Sequence, residues 1–361
     1  MSSEGHGLSA SPQFLGGVYG LSAAALFGVS PPIAKLLLPE AGPLLISGLL
    51  YLGAGLGLLA FEVVAYRGAE ASRRESPVGP ADRALLAGMI LCGGVLGPVC
   101  MLWGLQRLSA VLGSLLLNLE APFTIGLALL LFREHLGRGE MTGALLIVIA
   151  AAILQLRPEE LRPDVWGFIA IAGACLWWAI DNNLSQRMSL RDPIIVTRIK
   201  ALGAGVCTVS MAFLGGQALP APMILLAALL LGVFSYGVSL VLDMQALRLL
   251  GAAREAGFFA TAPFVGAVAA VPILGERWGI NEVFASMIMA VGVLLLFREH
   301  HHHIHVHEEM EHDHVHVHGV HHEHEHAEGQ GEEPHAHVHR HVQLTHDHPH
   351  VSELHHRHVH D

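Results

Sequence analysis

The chain has 361 residues, of which 52% are hydrophobic and only 14% are charged. A soluble domain carries roughly 25% charged residues, so this composition excludes a soluble enzyme and a disordered protein. The formal net charge is −11, and the last 62 residues hold most of it, together with 25 of the 27 histidines. The sequence therefore predicts a membrane-embedded body followed by an acidic, His-rich tail.

Ten apolar runs precede the tail, and each approaches the length of about 20 residues that a helix needs to cross the hydrocarbon layer. In chain order they are residues 13–38, 43–66, 83–103, 108–132, 138–156, 164–185, 192–214, 222–244, 252–273 and 279–298. Residues 1–12 form a short N-terminal segment without Lys or Arg, so we expect the first run to be a membrane anchor and not a cleaved signal. The predicted fold is an all-α integral membrane protein with ten transmembrane helices, which we call spans 1–10.

The distribution of Lys and Arg in the short joints predicts the orientation of the chain. The joints on one side hold 11 of these residues and the joints on the other side hold five, and we call them the Arg-rich side and the Arg-poor side. Because positive charge favours the cytoplasm, we expect the Arg-rich side to be cytoplasmic. With an even number of spans, both termini and the tail should lie there too, in the plasma (inner) membrane of the cell.

The two halves of the membrane body resemble each other. Residues 107–122 align without gaps on residues 248–263, and each copy then runs apolar to a loop acid, Glu134 or Glu276, for which we expect a role in helix–loop bracing. Spans 1–5 and 6–10 are therefore predicted to be duplicates. Because five is an odd number, the two copies must be inserted in opposite senses, an architecture that many secondary transporters share.

The duplicated pattern resembles the EamA-type permeases of the drug/metabolite transporter superfamily. Both copies carry Ala-Pro-Phe, at residues 121–123 and 262–264, followed by the apolar run and the loop acid. The resemblance implies five-helix repeats at residues 13–156 and 157–298, around a central cavity lined mainly by spans 1, 3, 4, 6, 8 and 9. The segment Trp177–Arg187 also resembles a branch of these permeases with His-rich tails.

Glu120 is the clearest charged residue inside a predicted span, with Asn118 two residues before it. A charge at the bilayer centre costs about 2.5–3.5 kcal/mol on insertion scales, so it needs a partner, a cavity or a function. We interpret Glu120 as a group that binds a cationic or amine part of a solute, or takes up a proton. The alternative is a protonated or hydrogen-bonded packing residue.

Five further polar residues lie toward the Arg-rich ends of spans 6–8. They are Asp181, Asn182, Arg198, Lys200 and Asp243. They suit either ion pairs at the cytoplasmic mouth, with long basic side chains reaching the interface, or an inner gate that opens during transport. Trp177 suits either the cavity wall or the membrane interface, where tryptophan is common.

The tail, residues 299–361, is dominated by alternating His-x-His. Its candidate metal ligands begin with His300, His301, His302, His303, His305, His307, His312, His314, His316 and His318. Imidazole suits Zn²⁺, Ni²⁺ and Co²⁺, and such a tract is typical of metal binding. The alternative is a solvated tract without a physiological metal. We expect this tail to be disordered without metal and to bind metal less well below about pH 6.

The sequence therefore favours a secondary permease, and more specifically an exporter, of a small organic metabolite or drug, with no required cofactor and Zn, Ni or Co bound by the tail. No Walker motif or catalytic triad accompanies the spans, so we expect no enzyme activity. A divalent-metal transporter fed by the tail is the alternative function, and a membrane-anchored metal store is the third. Expected partners are a small-molecule substrate, the bilayer and divalent metal ions, but not nucleic acid, and the sequence leaves room for a homodimer.

Overall fold

The computed structural model describes most of the membrane body and four segments of the tail. The described residues are 12–65, 78–132, 138–154, 164–185, 188, 191–250, 252–298, 301–307, 310–316, 335–341 and 344–350. Helices occupy all ten predicted runs. In spans 1–5 they are α1 (Pro12–Gly28), α2 (Ser30–Leu37), α3 (Pro43–Ala65), α4 (Arg83–Met89), α5 (Gly97–Arg107), α6 (Ala110–Leu116), α7 (Glu120–Phe132) and α8 (Arg138–Ile153). In spans 6–10 they are α9 (Val165–Ser185), α10 (Pro193–Leu214), α11 (Pro222–Gly232), α12 (Ser239–Leu250), α13 (Ala252–Phe259), α14 (Ala262–Leu274) and α15 (Ile280–Arg298).

Eight helical segments of the described chain are long and apolar enough to cross a membrane, and they correspond to spans 1–4 and 6–9. The two remaining predicted spans are shorter: α8 has 16 residues and the apolar part of α15 runs over Ile280–Leu296. At about 1.5 Å per residue, α8 is roughly 24 Å long. These two helices pack on each other through Gly143 and Gly292. A methyl group added at Gly143 would lie 2.6 Å from the backbone carbonyl oxygen of Gly292.

The contacts between the two repeats follow a two-fold pattern. Span 3 packs on span 6 as span 8 packs on span 1, and span 4 packs on span 6 as span 9 packs on span 1. Spans 2 and 7, 4 and 9, and 5 and 10 each pack on their own counterpart. Every inter-repeat contact named here thus has its equivalent in the other half, which is the arrangement that two oppositely inserted copies require.

Several spans are irregular near their middle. Span 3 contains a π-helical segment, Ile90–Leu96, and span 8 contains another, Val233–Val238, at an equivalent place in the repeat. Span 4 is interrupted by a 3-10 turn at Leu117–Leu119, and span 9 breaks between α13 and α14. Span 1 breaks between α1 and α2, close to the predicted Pro31–Pro32 kink. Such interruptions free backbone groups in the membrane, which is tolerated where protein or a cavity surrounds them.

The two broken helices, spans 4 and 9, meet at one end only. Their Arg-poor halves, α6 and α14, pack closely on each other. Their Arg-rich halves, α7 and α13, are not a packed pair in the described part of the chain; α7 packs on α9, and α13 packs on α1 and α12. Spans 4 and 9 therefore pack on each other at their Arg-poor halves but not at their Arg-rich halves, among the described residues.

Four short segments of the tail are described, and they form two pairs of strands. β1 (His301–His307) pairs antiparallel with β4 (Leu344–His350), and β2 (Met310–His316) pairs antiparallel with β3 (His335–His341). The alternating His-x-His pattern has a period of two residues, which is the period of a strand, and this explains the extended backbone. The predicted ligands His300 and His318 lie outside the described residues.

Candidate functional site

The backbone carbonyl of Gly93, in the π-helical segment of span 3, is a meeting point for three spans. It accepts a hydrogen bond from the Tyr51 hydroxyl of span 2 at 2.7 Å and from the Trp178 indole of span 6 at 3.2 Å. A π-helical segment leaves such carbonyls available because it disturbs the regular i→i−4 pattern. The irregular segment of span 3 thereby fixes two aromatic side chains beside the centre of the protein.

Asp181 forms a buried ion pair with Lys200 next to this point. The ammonium of Lys200 contacts Asp181 Oδ2, and the two side chains are only 12% and 7% exposed. The second oxygen, Oδ1, has no hydrogen-bond partner among the described residues. A methyl group on Gly93 would lie 2.2 Å from the Asp181 carboxylate, so only glycine allows span 6 to approach span 3 here.

Glu120 lies at the break of span 4 and faces span 6. Its Oε1 accepts a hydrogen bond from Asn182 Nδ2 at 2.7 Å. Asn182 is exposed and Glu120 is half-buried, and no ion pair formed by the described residues includes Glu120. Asp181 and Asp243 are both near enough to Glu120 to interact with it electrostatically. An acidic group with a neutral partner therefore borders the space between the repeats.

Asp243 of span 8 and Glu255 of span 9 form the second acidic pair. Their carboxyl groups are near enough to interact with each other. Glu255 also interacts electrostatically with Glu120, so four acidic side chains from spans 4, 6, 8 and 9 share one region with Lys200.

Phe27 packs at the centre of an aromatic cluster beside these acids. Its ring centroid lies 6.1 Å from that of Trp178, 5.6 Å from Tyr236 and 5.4 Å from Phe259. Tyr51 extends the cluster, at 5.4 Å from Tyr236. These aromatic residues come from spans 1, 2, 6, 8 and 9, and edge-on arrangements of this kind stabilise packing beyond the area that they bury.

The structure brings together most of the predicted site residues. Glu120 contacts Asn182, Asp181 contacts Lys200, and Asp243 lies in the same acidic region. Arg198 does not join them, because it pairs with Glu62 of span 2, as the ion-pair interpretation expected.

Asn118 and Trp177 make none of the contacts described for this region. Asn118 is buried and donates to the Leu115 carbonyl at 3.0 Å and to the Met289 sulfur at 3.8 Å, so it packs against span 10. Trp177 takes no part in the ring contacts of the described residues, whereas its neighbour Trp178 does.

Sequence reasoning did not assign Tyr51, Gly93, Tyr236, Phe259 or Glu255 to the site. Nothing in the local sequence marks the π-helical segments that place Gly93 and Tyr236. Glu255 offered a signal, since it is a carboxylate near the start of a predicted span. The described residues contain no group of three or more His, Cys, Asp or Glu side chains placed to hold a metal ion.

Known proteins share this architecture. A sequence profile of the EamA-like transporter family matches residues 14–156 and again residues 165–298. An uncharacterized transporter of Methanothermobacter thermautotrophicus is 31% identical over 290 residues, which cover 77% of this chain and 84% of that protein. A protein of known crystal structure, 18% identical, superposes with a TM-score of 0.57 over 78% of this chain and 95% of its own, a likeness of fold alone.

These matches confirm the resemblance that the duplicated motifs suggested. They agree with a multi-pass, all-helical body and with transport across a membrane instead of enzyme catalysis. The chain belongs to the EamA-like transporter family.

Proposed function

We propose that this transporter exports a small organic metabolite or drug that carries an amine or another cationic group. The carrying observation is Glu120, a half-buried carboxylate that has an amide as its partner and borders the space between the repeats. Asp181, Asp243 and Glu255 add acidic groups nearby, and among the described residues Lys200 is the basic group that faces them. A cationic group would offset this excess where hydration is limited.

The aromatic cluster supports an organic rather than an inorganic cargo. Phe27 and Phe259 are half-buried and stand next to the acidic region. Aromatic faces attract organic cations through their quadrupoles, by about 0.5–2 kcal/mol. A solute with an apolar body and a cationic end would therefore find both kinds of contact between spans 1, 4, 6 and 9.

Alternating access is consistent with spans 4 and 9 packing on each other at their Arg-poor ends but not at their Arg-rich ends. The described Arg-rich halves of spans 4 and 9 do not pack on each other, and we place that side in the cytoplasm of the plasma (inner) membrane, with both termini there. A solute would enter from that side, bind at Glu120, and leave after the Arg-poor ends of the two repeats separate. This sequence of steps defines export.

The tail supports a separate proposal, that of divalent-metal binding. Cα register places His opposite His at three positions of the β1–β4 pair and at three of the β2–β3 pair. Imidazoles repeated at this spacing suit Zn²⁺, Ni²⁺ or Co²⁺. The alternative function, a divalent-metal transporter, has this tail in its favour. The hard oxygen ligands of the membrane body suit such ions less well.

The test is transport by the full chain in liposomes, with radiolabelled benzyltrimethylammonium as an aromatic cation and benzenesulfonate as an anion of similar size. We expect uptake of the cation only, and a strong loss in Glu120→Gln at every pH. Glu40→Gln is the matched control, because Glu40 is exposed in the joint after span 1. Preference for the anion, or full transport by Glu120→Gln, contradicts the proposal; flux of Zn²⁺ without flux of the cation favours the alternative.

A further inference from the structure

One carboxylate joins the two repeats at the Arg-poor side. Glu276, in the joint between spans 9 and 10, accepts the backbone N–H of Ala110 at 2.7 Å and that of Val111 at 2.8 Å. These are the first two residues of α6, so a side chain of the second repeat caps a helix of the first. A carboxylate suits this position because the N-terminus of a helix carries free N–H groups and partial positive charge.

Lys35 completes the contact from the last turn of α2. Its ammonium lies 3.3 Å from Glu276 Oε1 and also donates to the backbone carbonyl of Leu108. The side chains of Lys35 and Glu276 are 24% and 18% exposed, so water screens the pair only in part. We call Lys35, Glu276 and the backbone of residues 108–111 the Glu276 junction.

The Glu276 junction lies at the start of α6, one turn before the contact between α6 and α14. There Ser114 of α6 contacts Gly266 of α14. A methyl group added at Gly266 would lie 2.8 Å from the hydroxyl oxygen of Ser114. Ser114 is fully buried, and its hydroxyl has no partner among the described residues. Spans 1, 4 and 9 therefore cannot part at this end unless the junction breaks first.

A second ion pair on the Arg-poor side has a different character. Arg107 and Asp164 lie 3.2 Å apart, but their side chains are 40% and 32% exposed. The backbone N–H of Gly167 lowers the pKa of Asp164, and Arg107 lowers it further. Asp164 thus caps the start of its own span, and an exposed pair of this kind contributes little to holding two bodies together.

We propose that the Glu276 junction is the latch that closes the Arg-poor side, and that Lys35 and Glu276 are positioning residues of the transport cycle. When the latch is formed, the space between the repeats is open only toward the Arg-rich side. The latch must break before solute passes to the Arg-poor side. This inference rests on the alternating-access cycle of the proposed function, but not on the identity of the solute.

The test measures access to Ser114 from the Arg-poor side. In a full chain with Cys92, Cys100, Cys175 and Cys207 replaced by Ala, Ser114→Cys is the only thiol. A membrane-impermeant maleimide reaches the Arg-poor side when it is added to intact cells, and it reaches the Arg-rich side when it is added separately to inverted vesicles as the comparison. We expect Glu276→Gln and Lys35→Met to raise the labelling rate about tenfold, since losing hydrogen bonds to a charged group shifts a two-state equilibrium by at least that factor.

Two further variants separate latching from general loosening. Lys35→Arg keeps the positive charge and should label close to the rate of the parent. Glu134→Gln removes the loop acid at the equivalent place of the first repeat, on the Arg-rich side, and should leave labelling of Ser114→Cys unchanged.

Each outcome decides the proposal. Labelling that stays within twofold of the parent in both Glu276→Gln and Lys35→Met overturns it. So does a rise that Glu134→Gln shares, or loss of a cooperative melting transition in Glu276→Gln and Lys35→Met, because the junction would then be a folding element. Faster labelling without any uptake of benzyltrimethylammonium supports the latch and contradicts only the proposed solute.

Discussion

The two repeats share the shape of their backbones but not the chemistry at their breaks. Span 4 is interrupted at Leu117–Leu119, and span 9 breaks between Phe259 and Ala262, at aligned positions. Directly after its interruption, the first repeat carries Glu120, which faces Asn182 of span 6. The second carries Thr261, whose hydroxyl donates to its own Phe258 carbonyl at 2.7 Å.

This difference separates architecture from function. A break that occurs in both copies serves the common fold, because each broken helix must bend around the same two-fold arrangement. A charge that occurs in one copy serves a task that the fold alone does not require. The charges of Asp181, Lys200 and Glu120 belong to this second class, and the predictions below test whether the distinction holds.

The largest expected effect concerns the ion pair between Lys200 and Asp181. Lys200→Met should lower the free energy of unfolding by about 3–5 kcal/mol, because it leaves the buried Asp181 carboxylate unpaired. The double variant Lys200→Met/Asp181→Asn should recover much of that loss. Denaturation of the detergent-solubilised protein measures both. Equal losses in the single and the double variant would show that the pairing contributes nothing to stability.

The aligned positions at the breaks provide the sharpest comparison. Glu120→Gln should reduce uptake of benzyltrimethylammonium about 100-fold, in line with the cost of removing one charge from a desolvated charge pair. Thr261→Val should change uptake less than twofold, since Thr261 bonds only within its own turn. Transport by proteoliposomes at equal protein content gives both values. Comparable losses of uptake in Glu120→Gln and Thr261→Val would contradict the distinction between the shared backbone breaks and the charge found in one copy.

The close approach of spans 3 and 6 predicts a smaller effect. Gly93→Ala should destabilise the protein by about 1–3 kcal/mol through overpacking against Asp181. Gly173→Ala, in span 6, is the matched control, because no atom of another described element lies within 4 Å of the methyl group that it adds. Thermal melting should therefore separate two identical chemical changes, and equal melting temperatures would contradict the assigned contact.

The smallest effect on transport is expected from the tail, which belongs to neither repeat. Deleting residues 299–361 should leave uptake of benzyltrimethylammonium within about twofold, because the residues that carry the proposal all precede the tail. The same deletion should abolish Zn²⁺ binding in calorimetry. Loss of organic-cation transport on deletion would assign the tail to the transport pathway itself.

The sequence predicts the spans well and their contacts poorly, for a physical reason. The hydrocarbon layer selects long apolar runs, so helices lie in all ten predicted ranges. The partners of Glu120 and Lys200 depend on how spans from different repeats cross, and no local pattern encodes that. The Arg198–Glu62 pair and the packing of Asn118 against Met289 illustrate the same limit.

Local patterns also explain what the sequence leaves open. The tail is polar, and its period of two residues is compatible with paired strands, as in β1 and β4. The loop acid Glu276 is predicted to brace a helix from a loop, and it caps the first turn of span 4. The sequence does not identify that helix, because the inverted arrangement of the repeats brings the end of span 9 to it.

The π-helical segments of spans 3 and 8 are a shared irregularity of the two repeats. A π-helical turn departs from the regular hydrogen bonding of a helix, and such turns are frequent at functional sites. Because both copies carry one at an equivalent place, the distortion is a property of the repeated five-helix unit and not of either half alone.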